Sequence, residues 1–262
     1  MATPYFHGGS GPRVLLLHSG FCTWVEWRRV IEDLAVDHEV LAPTQPGSLQ
    51  GPPLRYDGST VLAQHADRIE ALLDELGWDQ PVPVVGSSFG GVTALELLNR
   101  GRAERVLALA PPWVAHPEGT AFYLAAFSPL LGLGLTRPLW SWAGRLGWPG
   151  GLMLHQSFRS LAISETDYND LLESMASFPL VRVFRSPSFR GVGMPDTDRV
   201  PQDRVHLVWG TADRLVPRWM RTRWQAVLPG ATVTTLPGFP HQPHLRDPVL
   251  VSELVREHVA DL

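Results

Sequence analysis

Ser88 lies in Gly86-Ser87-Ser88-Phe89-Gly90, directly after the apolar run Pro81-Val82-Pro83-Val84-Val85. A strand that ends in this way delivers a hydroxyl onto a sharp turn. The residue caught between strand end and helix start takes strained backbone angles, and glycines two positions to either side let the turn close. The residues from Gly91 to Leu98 have helical spacing. The free amides and positive dipole end of that helix therefore lie beside Ser88, where a developing oxyanion would be stabilised. A serine hydroxyl is a weak nucleophile at neutral pH and needs a base, itself oriented by a carboxylate. Two other strand-end loops supply them. Asp213 stands in Gly210-Thr211-Ala212-Asp213-Arg214-Leu215-Val216-Pro217, and His241 in Pro237-Gly238-Phe239-Pro240-His241-Gln242-Pro243. His244 is the alternative base, and Asp213 has the alternative task of capping the start of the helix that follows it.

The elements that must position these groups can be read from apolar runs and turn residues. Short Val- and Leu-rich runs at 13–17, 39–42, 82–85, 106–110, 205–209 and 232–236 predict strands buried on both faces. Helical patterns fall between them at 24–34, 60–76, after Ser88, at 217–227 and at 248–259. This alternation predicts an α/β protein, with a mostly parallel sheet covered by helices on both faces. Its site would lie beyond the carboxyl ends of the strands, where Ser88, Asp213 and His241 all fall.

From 111 to 201 the alternation stops and the chain becomes rich in Pro, Gly and aromatic residues. The expectation is a core built from 1–110 and 202–262, with 111–201 inserted as a helical cap over the crevice. Phe21, Trp113, Phe127, Trp140 and Trp142 are the candidates for an apolar substrate wall. The alternative for any one of these rings is that it only holds a small helical subdomain together.

With these pieces in place, the chain resembles the α/β-hydrolase superfamily over essentially its whole length. The matching segments are Leu15-Leu16-Leu17-His18-Ser19-Gly20 followed by Trp27, the turn around Ser88, the loop around Asp213, and Gly238-Phe239-Pro240-His241-Gln242-Pro243. The chain order Ser, Asp, His also agrees. The resemblance implies Ser88 as nucleophile, His241 as general base and then acid, and Asp213 as the group fixing the imidazole tautomer. It implies an oxyanion hole from the amide of Phe89 and one amide after His18, either Gly20, which we favour, or Phe21. It also implies that His18 braces this loop. Two departures stand out: His18-Ser19-Gly20 replaces the usual His-Gly, and Thr44-Gln45-Pro46-Gly47 lacks the acid that normally steadies its turn.

A serine at the elbow implies acyl transfer, in contrast to the carboxylate nucleophile of haloalkane dehalogenases and epoxide hydrolases. The expected activity is cleavage of a small, partly apolar carboxylic ester, with no metal or organic cofactor. Lactone opening, C–C bond cleavage, acyl transfer to another alcohol, and a slow ligand-binding or sensor role are the alternatives on the same groups. The 262 residues suit one large domain, or a core with an insertion. A net charge of −4 gives no footprint for nucleic acid. The single cysteine, Cys22, cannot form an internal disulfide and reads as a buried apolar residue in a reducing, cytoplasmic setting. No segment reads as a secretion signal, and the greasy stretch from Tyr123 to Leu135 is too short and broken to span a bilayer.

Overall fold

Along the run Arg13–Leu17, Val14 and Leu16 point into one apolar layer while Leu15 and Leu17 point into another. Successive strand side chains face opposite ways, so such a run is stable only with cover on both sides. The structure, a computed structural model, describes residues 4–114, Glu173 and 191–260. In chain order its main elements are β1 (Tyr5–Gly9), β2 (Arg13–Leu17), a 3-10 turn (Trp24–Trp27) running into α1 (Arg28–Leu34), β3 (Glu39–Pro43), α2 (Val61–Glu75), β4 (Val82–Ser87), α3 (Phe89–Asn99), β5 (Ala103–Leu109), β6 (Val205–Gly210), α4 (Arg218–Val227), β7 (Thr232–Leu236), α5 (Pro243–Arg246) and α6 (Pro248–Ala260).

Among the described residues the strands form one seven-stranded sheet in the order β1-β3-β2-β4-β5-β6-β7, parallel except where β1 meets β3. The predicted α/β architecture is the observed one. Leu17 pairs with Gly86, Gly86 with Ala108, Ala108 with Leu207 and Leu207 with Val233, so the strand ends stand level and their loops open along one edge. The apolar sides of α2, α3 and α4 cover one face of the sheet, and α1 and α6 cover the other.

Three expectations need correction. β1 was not anticipated, and it pairs antiparallel with β3 at the sheet margin. β7 is not buried on both faces: as the opposite margin it leaves most of its residues exposed. The 24–34 pattern is two elements, the 3-10 turn and α1. Most of the inserted segment lies outside the described residues, including Phe127, Trp140 and Trp142. No helix among the described residues is long and apolar enough to cross a membrane.

Candidate active site

Ser88 occupies the turn between β4 and α3 with φ 51° and ψ −119°, a conformation that L-residues rarely adopt. Its amide donates to Leu109 O on the neighbouring strand at 2.7 Å, which anchors the strained residue to the sheet. The flanking glycines are required sterically. A Cβ on Gly86 would collide with the Gly90 carbonyl, and one on Gly90 with the carbonyls of Leu17 and His18. The same close approach brings the loop after β2 against the start of α3. A Cβ on Gly20 would lie 3.5 Å from Phe89 Cβ. Phe89 is the first residue of α3, so its amide has no acceptor within the helix, and among the described residues the Gly20 amide makes no hydrogen bond. Phe21, the other candidate donor, sits at φ 70°.

Asp213 and His241 meet. The Nδ1–H of His241 donates to Asp213 Oδ2 at 3.0 Å, and both side chains are buried. The loops that bring them together are interlocked: Ala212 N donates to Phe239 O at 2.9 Å, Thr211 N to Leu236 O at 3.0 Å and Gly238 N to Thr211 Oγ1 at 2.7 Å. Asp213 also serves its own turn, because Oδ1 accepts the amides of Leu215 (2.8 Å) and Val216 (3.0 Å). The expected cap on the following helix is not made, since the residue at the N-cap of α4 is Pro217; Asp213 instead serves the turn before it, on the oxygen that does not face His241. Burial alone would raise the Asp213 carboxyl, but His241 and the two amides outweigh it and hold the group below the usual carboxylate range.

His244 has a different fate. Its ring is fully buried, stacks on Trp27 at a centroid distance of 4.3 Å, and donates from Nε2 to Glu26 Oε1 at 2.8 Å. His18 is buried with both nitrogens engaged: Nδ1–H donates to Ser19 O at 2.7 Å, and Nε2 accepts the Gln45 amide at 2.8 Å. The Gln45 side chain returns a 2.7 Å bond to His18 O and lies 3.0 Å from His65 Nδ1. Gln45 thus steadies the turn that lacks the usual acid. His65 meets Phe89 edge-on at 5.4 Å. Burial lowers the pKa of both His18 and His65, the latter to about 3. Trp113 is buried, with its ring edge-on to Trp224 at 5.0 Å. No group of three or more His, Cys, Asp or Glu among the described residues is placed to hold a metal ion.

A family model for the alpha/beta hydrolase fold matches residues 12–111. The chain is 30% identical over 216 residues to the epoxide hydrolase EphH of Mycobacterium tuberculosis, an alignment covering 78% of this chain and 95% of the relative. The chain belongs to the α/β-hydrolase superfamily. Solved α/β-hydrolase-like folds resemble it over nearly their whole length. One is a thermophilic esterase from Thermogutta terrifontis, with TM-score 0.70 and 17% identity over 98% of this chain and 92% of that one. Another is the epoxide hydrolase VrEH1 from Vigna radiata, with TM-score 0.71 and 16% identity over 98% and 94%. At these identities the two structures speak for the fold alone.

Sequence reasoning missed one group in this α/β-hydrolase site, Glu26. Its carboxylate is fully buried and faces donors from Ser19 and His244. A signal was present in the spacing. Glu26 precedes Val30 by four residues and Leu34 by eight, which puts an acid on the apolar side of a helical pattern.

Proposed function

We propose that this hydrolase cleaves carboxylic esters of small, partly apolar substrates through Ser88, His241 and Asp213. Ser88 Oγ attacks the ester carbonyl carbon while its proton passes to His241 Nε2. The amides of Phe89 and Gly20 hold the oxyanion. Collapse of the tetrahedral intermediate expels the alcohol, which takes the proton from His241 and leaves an acyl ester on Ser88. Water, deprotonated by His241, then attacks that ester and releases the acid. Asp213 holds the imidazole in the tautomer that leaves Nε2 for proton transfer. Residues 111–201 form the cap in this reading, with Phe127, Trp140 and Trp142 joining Phe21 and Trp113 as walls of an apolar acyl or alcohol pocket.

The observation that carries the reading is the side chain at the elbow: Ser88, held at φ 51°. The Mycobacterium tuberculosis relative is named an epoxide hydrolase, and the chemistry separates the two activities. A carboxylate that opens an epoxide forms an ester, which water can hydrolyse. A serine that opens one forms an ether, which a histidine base and water will not cleave. With Ser88 an epoxide can therefore only alkylate the enzyme once, whereas an acyl-serine turns over.

The test is hydrolysis of p-nitrophenyl esters from acetate to decanoate by wild type and Ser88→Ala, together with diol formation from styrene oxide. Wild-type ester turnover that falls by about 10⁴-fold or more in Ser88→Ala is expected. Turnover within a few-fold in the variant, or catalytic diol production by the wild type, would overturn the assignment.

A further inference from the structure

Behind Ser88, Asp213 and His241 lies a second buried chain of side chains that the mechanism above does not use: His244, Glu26, Ser19 and Ser87. His244 Nε2–H donates to Glu26 Oε1 at 2.8 Å, and the Ser19 hydroxyl donates to the same oxygen at 2.6 Å. The Ser19 backbone amide donates to Glu26 Oε2 at 2.7 Å. With its proton committed to Glu26, Ser19 Oγ is left to accept from Ser87 Oγ, 2.9 Å away. These contacts join three segments that are far apart in sequence. Ser19 precedes Gly20 in the loop after β2, Ser87 is the last residue of β4 just before Ser88, and His244 lies in α5, three residues after His241.

Glu26 is the only carboxylate among these four side chains, and it faces donors: His244, the Ser19 amide and the Ser19 hydroxyl. An uncompensated carboxylate at this depth would be strongly destabilising, so an acid is retained there only with its donors in place. Burial raises the Glu26 carboxyl, and His244, Ser19 and His18 outweigh that and hold it below the usual range. The Cys22 thiol beside it is pushed up by burial and by this negative charge. Restraint of Ser19 bears directly on its neighbour. The peptide between Ser19 and Gly20 carries the Gly20 amide, and two Glu26 bonds to one residue fix that residue in both position and rotation.

We propose that Glu26 is a positioning residue for the oxyanion hole: it pins Ser19 so that the Gly20 amide faces the carbonyl held at Ser88, and through Ser87 and His244 it keeps that loop in register with the nucleophile and the base. The proposal rests on the ester-hydrolase reading. It predicts an effect on transition-state binding that packing alone would not produce. Loss of a whole oxyanion donor costs about 10²- to 10³-fold in kcat, and a misdirected donor part of that.

The experiment compares wild type, Glu26→Gln and Ser19→Ala in kcat and KM on p-nitrophenyl butyrate, with rates normalised to the fraction of Ser88 titrated by a fluorophosphonate. Affinity for an aryl trifluoromethyl ketone, whose serine adduct carries an oxyanion, is measured alongside. Glu26→Gln is expected to lower kcat by about 10- to 100-fold with KM within about threefold, and to weaken the ketone by the same factor as kcat/KM. Ser19→Ala, which keeps the amide bond to Glu26, is expected to lose less than Glu26→Gln. Normal kcat and ketone affinity per titrated serine in Glu26→Gln, even with a lowered Tm, would overturn the proposal and leave Glu26 a packing residue. A wild type inert to both ester and fluorophosphonate would overturn the ester-hydrolase reading, and this proposal with it.

Discussion

His241 and His244 are three residues apart, yet their surroundings give them different work. His241 is held through Nδ1 by Asp213, and among the described residues its Nε2 makes no hydrogen bond. His244 is enclosed, stacked on Trp27 and bonded to a buried carboxylate. Removing its ring would leave a cavity under Trp27 and strip Glu26 of a donor, a loss on the order of 3 kcal/mol. His244→Ala is therefore expected to lower Tm by about 6–12 °C while kcat per folded molecule falls less than about tenfold. His241→Ala should lower kcat by about 10³-fold or more per folded molecule. Steady-state kinetics and thermal unfolding on the same preparations check both, and exchange of the two patterns would make His244 the base. The sequence placed both histidines in one loop and could not show which of them is buried against an acid, because Glu26 and His244 are 218 residues apart.

At the scale of elements, the site is a set of loops at level strand ends, and this much is legible in sequence. A strand-turn-helix with glycines at both sides of a serine has few other conformations, and the Asp and His loops each follow a strand. What sequence cannot show is how the two loops lock. Gly210 must be a glycine because a Cβ there would strike the Phe239 carbonyl, and that contact belongs to a loop nearly thirty residues on. The lock has a pH signature. The Asp213 pKa is lower in the folded than in the unfolded chain, where an ordinary carboxyl titrates near pH ~3.9. Its ionised form therefore contributes stability that is fully present above the unfolded value and lost as pH falls through the folded one. Asp213→Asn should be less stable than wild type at neutral pH, with the gap narrowing as pH drops below about 4. Urea midpoints across pH 7 to 2.5 read this directly, and a gap that stays constant or widens on acidification would refute it.

For the whole molecule, alternating strand and helix patterns were enough to predict the parallel sheet, because strands covered on both faces must be apolar throughout. The margins were harder to read. β1 is a short run ending in Gly8 and Gly9 that lacks the Val- and Leu-rich pattern of the other strands, and its pairing with β3 is set by geometry that no local pattern records. β7 has strand-forming residues, but its exposure follows from its place at the end of the sheet order. The far end of the chain closes the fold, as α6 packs on α1 through two kinds of contact. Val251 and Val255 are fully buried in the layer with Val14, Leu16 and Trp27. Arg256 bonds Asp33 at 2.8 Å and Asp37 at 2.8 and 3.2 Å, at the partly exposed rim. Magnitudes decide which matters more. Truncating a buried valine removes packed methyls that no relaxation fully replaces, a loss of about 2 kcal/mol. Exposed ion pairs contribute about 0.2–1 kcal/mol each and are screened by salt. Val255→Ala is thus expected to cost more stability than Arg256→Ala in urea unfolding, with only the second effect shrinking between low salt and 1 M NaCl. Both variants should retain wild-type kcat, since neither side chain reaches the strand-end loops. A larger, salt-sensitive loss in Arg256→Ala would mean that the last helix is held by its charges rather than by the apolar layer beneath it.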